Sequence, residues 1–80
     1  MIEYRASIRK DLKQVDKPQR ERILDKLELI LSKDPYAGEK MKGKLDGIYK
    51  LRIGDYRVMY RFIPGKIEVV RIRRRGHVYD

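Results

Sequence analysis

The chain has no cysteine and a single histidine, His77. Without thiols there is no disulfide, no thiol nucleophile and no cysteine zinc site. One imidazole cannot build a histidine-rich metal centre. A Ser-His-Asp triad would have to draw Ser7 or Ser32 beside His77, and no motif surrounds either serine. The glycines form no phosphate-cradling pattern. No apolar run approaches the roughly 20 residues that cross a bilayer, and Met1-Ile2-Glu3-Tyr4-Arg5 does not read as a signal peptide. These absences leave the expectation of a cytoplasmic protein without metal, cofactor or membrane contact.

What the chain does have is positive charge. Its 80 residues carry 21 Lys and Arg against 12 Asp and Glu, a formal charge of +9. The excess is uneven: residues 1–40 sum to +2 and residues 41–80 to +7. A near-neutral half joined to a strongly basic one suggests a scaffold and a surface that meets a polyanion. The length fits one domain, residues 1–80, and 41% hydrophobic content is enough to fold it. A domain of this size buries only about 60% of its unfolded surface, so stability should be marginal without a partner.

Ile2 to Ala6 alternates apolar and polar residues, as a half-buried strand does. Ile8, Leu12 and Val15 then fall on one face of a short helix. Asp16-Lys17-Pro18 interrupts it, and Pro18 suits the first turn of a following helix. In that second helix Ile23, Leu24, Leu27, Ile30 and Leu31 form a core-facing stripe, with Leu29 on the other side as an exposed apolar residue. Asp34-Pro35 should end it, because a residue before proline is pushed out of helical geometry. Residues 36–47 read as a loop carrying Lys40, Lys42 and Lys44. Strands follow at Ile48–Ile53, Tyr56–Phe62 and Ile67–Arg73, separated by the turns Gly54-Asp55 and Pro64-Gly65. The expected fold is α+β: an N-terminal strand, a helical pair, and a three-stranded antiparallel meander with both helices on one sheet face.

Alternation along those strands sorts the side chains. Tyr49, Leu51, Ile53, Val58, Tyr60, Phe62, Val70 and Ile72 should meet the helices. Lys50, Arg52, Arg57, Arg61, Arg71 and Arg73 should share the opposite face, and Arg75 could continue the row. Residues 48–79 hold nine basic side chains, with only Asp55 and Glu68 as acids. A single-sign cluster is self-repulsive unless an anion sits on it, so a phosphate-rich ligand explains it better than a solvated surface does. Lys42, Lys44 and Arg74 are further candidates for phosphate contact. Tyr56 and Tyr79 could stack on bases, although isolated tyrosines more often pack.

The block from Gly43 to Tyr60, GKLDGIYKLRIGDYRVMY, resembles the central block of RelE-type toxins of type II toxin–antitoxin systems. The tail RIRRRGHVY, residues 71–79, resembles that family's closing strand and terminal Arg…Tyr segment. The helical pair also fits, so the likeness covers almost the whole chain. What the resemblance implies is a RelE-like fold and a metal-independent endoribonuclease that cuts mRNA in the ribosomal A site and so inhibits translation. In that chemistry the RNA 2′-hydroxyl attacks the adjacent phosphate, leaving a 2′,3′-cyclic phosphate and a 5′-hydroxyl. By the same resemblance Lys50 and Arg52 match the paired basic residues of the first meander strand, and Arg57 a phosphate-binding arginine. Arg75 matches the arginine that stabilises the leaving group, and Tyr79 the residue that orients the substrate. Lys50, with Arg52 and Arg57 around it, is the expected proton-transfer group, its pKa lowered by those charges. His77 reads as an exposed tail residue, with acid–base catalysis as the alternative. The implied partners are a RelB-like cognate antitoxin, the ribosome and mRNA, with operator DNA reached only through the antitoxin complex. A gyrase poison of the related ParE type and a non-enzymatic nucleic-acid-binding member are the competing readings.

Overall fold

A computed structural model describes residues 2–45 and 47–74 of the chain. In chain order they form strand β1 (Ile2–Tyr4), helices α1 (Ser7–Leu12) and α2 (Lys17–Lys33), and a two-residue strand β2 (Glu39–Lys40). A 3-10 turn (Gly43–Leu45) then leads to β3 (Ile48–Ile53), β4 (Tyr56–Ile63) and β5 (Lys66–Arg74). Helix α2 begins behind Asp16, in extended geometry, with Pro18 in its first turn. It ends at Asp34, whose φ of −150° and ψ of 98° follow from the proline behind it. Its stripe is buried as the spacing predicts: Ile23, Leu27 and Leu31 are 1%, 0% and 2% exposed. Leu29 stands on the solvent side of the helix, also as expected.

The strands form one five-stranded sheet in the order β1-β5-β4-β3-β2. β3, β4 and β5 are the antiparallel meander, and β1 runs parallel to β5 with Tyr4 beside Val69. In the β3–β4 turn positive φ is confined to Gly54, the first of the two turn residues, as a type II′ hairpin requires. The core is a single cluster. Ile8, Val15, Ile23, Leu27 and Leu31 from the helical segments pack on Ile53, Tyr56, Val58, Tyr60, Ile67, Val69 and Ile72. Among the described residues, one face of the sheet is thereby covered by the helices and the other is left open.

Three details depart from the sequence reading. First, the segment expected to be a plain loop contains β2, which pairs with β3 through Glu39–Lys50 and Lys40–Tyr49. Tyr60 explains it. The buried hydroxyl donates to the Pro35 carbonyl at 3.0 Å and accepts from the Gly38 amide at 2.9 Å, drawing residues 35–38 against the sheet. Glycine is needed at 38, because a Cβ there would lie 2.6 Å from the Tyr60 hydroxyl.

Second, Val70 does not join the helix-facing set. The β4–β5 register shifts between Met59 and Tyr60, Met59 pairing with Arg71 and Tyr60 with Val69, so Val70 is an extra, bulged residue. The reason lies in the pattern: Ile67 and Val69 are odd-numbered and Ile72 is even, and only an inserted residue lets all three face the core. Val70 is buried but lies outside the core cluster.

Third, the regular elements at the N-terminus are shorter than expected. β1 stops at Tyr4 and α1 at Leu12, with Val15 buried just beyond the helix.

Candidate nucleic-acid interface

The register assembles the open face into rows that run across the strands. Nearest the β3–β4 turn is an all-arginine row, in which Arg52 pairs with Arg57 and Arg57 with Arg73. The next row reads Glu39, Lys50, Met59, Arg71. The third reads Ile48, Arg61, Glu68, Glu3. Directly opposed side chains in such a ladder have Cβ atoms about 4.5–5.5 Å apart. Positive charge is therefore densest at the turn end, and it thins toward the other end of the strands.

Carboxylates enforce that gradient. Glu68 accepts a 2.7 Å hydrogen bond from Nε of Arg61, and Arg5 approaches the same oxygen at 3.5 Å. The hydrogen bond from Arg61, followed by the charges of Arg61 and Arg5, holds the Glu68 carboxyl below the usual carboxylate range. Lys66 donates to Glu3 at 2.8 Å. In the middle row the Lys50 ammonium lies 3.6 Å from Glu39, and Arg71 lies 3.7 Å from Asp11. Asp11 Oδ2 also accepts from the Ile72 amide at 2.9 Å, fastening α1 to the edge of β5 that β1 leaves uncovered.

The candidate residues thus separate. Lys50, Arg52, Arg57, Arg71 and Arg73 come together in the first two rows. Arg61 shares the open face but belongs to the carboxylate-bearing row. Arg74 pairs with Tyr56, a core residue, so it stands on the helix side of the sheet and not with Arg57 and Arg73. Lys42 and Lys44 are exposed and precede β3 at its Ile48 end, away from the arginine row. Tyr56 is 8% exposed and packs in the core, which removes it as a stacking residue. Arg75, His77 and Tyr79 lie outside the described residues.

The carboxylate partners went unassigned in the sequence reading. Arg61–Glu68 was within reach of hairpin arithmetic, since Ile63 and Lys66 flank the Pro64-Gly65 turn and residues 61 and 68 fall opposite one another. Glu39 and Asp11 gave no comparable signal, because helix packing and the Tyr60 tether place them.

On the helix side, at the Ile48 end, Tyr49 stacks on Tyr60 with ring centroids 5.5 Å apart. Phe62 and the exposed Tyr36 complete an aromatic group, 4.8 Å apart. Phe62 sits on the expected face yet keeps 36% of its surface exposed, because it lies outside the core cluster.

Comparison with known proteins bears on what this face does. The family described as ParE toxin of the type II toxin–antitoxin system parDE matches residues 2–79. Among solved structures, the RelBE2 toxin–antitoxin complex from Mycobacterium tuberculosis superposes with a TM-score of 0.85 at 22% identity, covering 94% of this chain and 96% of that one. An archaeal RelE–RelB complex from Pyrococcus horikoshii gives 0.69 at 26% identity, with 96% of each chain covered. An E. coli RelE mutant bound to a RelBc antitoxin peptide gives 0.73 at 20% identity, covering 96% of this chain and 84% of that one. No curated protein sequence matches this chain.

Proposed function

The chain belongs to the ParE toxin family of type II toxin–antitoxin systems, and we propose that it is an RNA-cutting toxin: a metal-independent endoribonuclease that cleaves mRNA in the ribosomal A site. The observation that carries this reading is the arginine row. Arg52, Arg57 and Arg73 are neighbours across three strands on the face that the helices leave open. A sequence-tolerant ribonuclease needs fixed positive charge where a phosphorane develops, and guanidinium forks match phosphate oxygens in pairs. Strands hold these groups more rigidly than loops would.

In the proposed reaction the 2′-hydroxyl gives up its proton, and its oxygen forms a bond to the adjacent phosphorus. The bond from phosphorus to the 5′-oxygen breaks, and that oxygen takes a proton. The products are a 2′,3′-cyclic phosphate and a 5′-hydroxyl. Arg52 and Arg57, with Arg75 from the tail, stabilise the phosphorane charge, since arginine stays protonated and serves poorly as a literal acid or base. Lys50 serves in proton transfer, and Tyr79 orients the substrate. The partners are the ribosome, mRNA and a RelB-like antitoxin, with operator DNA bound only through the antitoxin complex. Structural relatives described as complexes with RelB-type antitoxins support the antitoxin partner.

The test adds purified protein to translating ribosomes with a defined mRNA and maps the new 5′ ends. Cuts inside the A-site codon are expected; intact codons in the presence of folded protein would overturn the reading. A second reading, poisoning of DNA gyrase, is favoured by the match to a family described as ParE toxin. It predicts inhibition of supercoiling with mRNA left whole.

A further inference from the structure

Strand β2 has two residues, Glu39 and Lys40, which meet β3 at Lys50 and Tyr49. That is below the usual strand length of about 3–10 residues, so its attachment to the sheet depends on contacts outside the ladder. Tyr60 supplies the main one. Its hydroxyl donates to the Pro35 carbonyl at 3.0 Å and accepts from the Gly38 amide at 2.9 Å. On the other flank the Met41 amide donates to the Ile48 carbonyl at 2.9 Å. The residue delivered by this clamp, directly after Gly38, is Glu39, whose carboxylate lies 3.6 Å from the Lys50 ammonium.

The pair borders a cavity of about 360 Å³ lined by Ala37, Glu39, Lys50, Leu51, Arg52 and Arg57. The Glu39 side chain is 77% exposed and that of Lys50 34%, and an ion pair so open to water adds little to folding. Its effect is local. A lysine ends in a compact charge on a flexible four-carbon stem, and a proton-transfer group works only when that end is held in place.

We propose that Glu39 is the positioning residue for Lys50, and that the Tyr60 hydroxyl, through Pro35 and Gly38, sets the place of Glu39. The proposal rests on the ribonuclease reading above, in which Lys50 serves in proton transfer, and adds what holds that group at the cavity. Glu39 touches Lys50 and leaves the reacting atoms to it. Tyr60 stands on the helix side of the sheet, in the core, and acts on the open face through β2.

Two measurements on the full chain test it. The first is single-turnover cleavage of ribosome-bound mRNA over a range of protein concentrations. Glu39→Gln, an exposed substitution that should leave folding unchanged, is expected to lower the maximal rate by about 10- to 100-fold, the scale of a misplaced catalytic group. The half-saturating concentration should change by less than about twofold. Tyr60→Phe, shown to be folded at the assay temperature, should lose rate in the same range. The double variant should match Glu39→Gln within about twofold, because Tyr60 acts through Glu39. A role of Tyr60 in stability alone would slow both backgrounds equally. A maximal rate for Glu39→Gln equal to wild type overturns the proposal. A loss as large as that of Lys50→Ala overturns it too, since Glu39 would then act on the substrate itself.

The second is nuclear magnetic resonance of the protein without ribosomes, reading the Lys50 side-chain signals and hydrogen exchange at the Met41 amide. Tyr60→Phe should speed exchange at Met41 and move the Lys50 signals toward those of Glu39→Gln. Unchanged signals in Tyr60→Phe overturn the link from Tyr60 to Glu39, whether or not the wild type cuts RNA. Intact mRNA with the wild type refutes the ribonuclease reading and the catalytic use of the pair, while the spectra still decide the tether.

Discussion

Arg52 and Arg57 stand directly opposite each other on β3 and β4, two like charges in one cross-strand pair at the mouth of a two-residue turn. Cross-strand like charges destabilise a sheet, and nothing in the packing of the core asks for them, because both lie on the face away from the helices. On the proposed reading, this pair meets an RNA phosphate.

Replacing one member should therefore stabilise the isolated protein. Arg52→Thr, which keeps a good strand former, is expected to raise unfolding free energy by about 0.2–1 kcal/mol at low ionic strength. The gain should shrink at about 1 M salt, where the screening length falls to about 3 Å. Denaturant melts at the two salt concentrations measure it. A variant less stable than wild type at low salt would show that the pair is not repulsive.

Glu68 makes the protein sensitive to acid in a defined direction. Its carboxyl is held below the usual carboxylate range by the hydrogen bond from Arg61 and by the charges of Arg61 and Arg5. A depressed folded-state pKa contributes stability that is present above the unfolded value and disappears as pH falls through the folded one. Thermal melts of wild type and Glu68→Gln should differ near neutrality and converge below pH 4.5, the wild type losing its advantage. A constant difference down to strongly acidic pH would contradict the assignment.

The Tyr60 tether gives a prediction in coupling. Tyr60→Phe leaves the Gly38 amide and the Pro35 carbonyl without their partner and should cost about 1–3 kcal/mol. Gly38→Ala drives a Cβ to 2.6 Å from the same hydroxyl and should also destabilise. Combined, the two should cost less than their sum, since removing the hydroxyl takes away the shortest of the new contacts, although those to the Lys50 carbonyl and the ring, both 2.9 Å, persist. Urea denaturation of the four proteins closes the cycle, and strict additivity would argue against the tether.

Two leucines of α2 calibrate the packing account. Leu27 is 0% exposed and Leu29 57% exposed. Leu27→Ala should cost about 2–5 kcal/mol, and Leu29→Ala should stay within about 0.5 kcal/mol. Calorimetry or denaturant titration distinguishes them directly.

The features legible in the sequence were those decided locally. The Ile23–Leu27–Leu31 stripe, the stop at Asp34-Pro35 and the Gly54-Asp55 turn each depend on a handful of neighbouring residues. Strand alternation then places Lys50, Arg52, Arg57, Arg71 and Arg73 on one face, where the structure has them. β2 escaped because two residues show no alternation and the group that holds them, Tyr60, is 22 residues from Gly38 in the chain. The bulge left a readable mark in the paired valines Val69-Val70, where the apolar positions switch parity. The placement of Asp11 beside Arg71 depends on how α1 docks on β5, which no short-range pattern encodes.

The central claim is that the arginine row carries out transition-state stabilisation on RNA. Its most direct measurement is the single-turnover rate of cleavage of ribosome-bound mRNA by wild type, Arg57→Ala and Lys66→Ala, each shown to be folded. Lys66 lies at the far end of the face, paired to Glu3. The account predicts a loss of about 10²–10³ in rate for Arg57→Ala, the scale of one lost oxyanion donor, and near wild-type cleavage for Lys66→Ala. Equal rates for Arg57→Ala and wild type would contradict it.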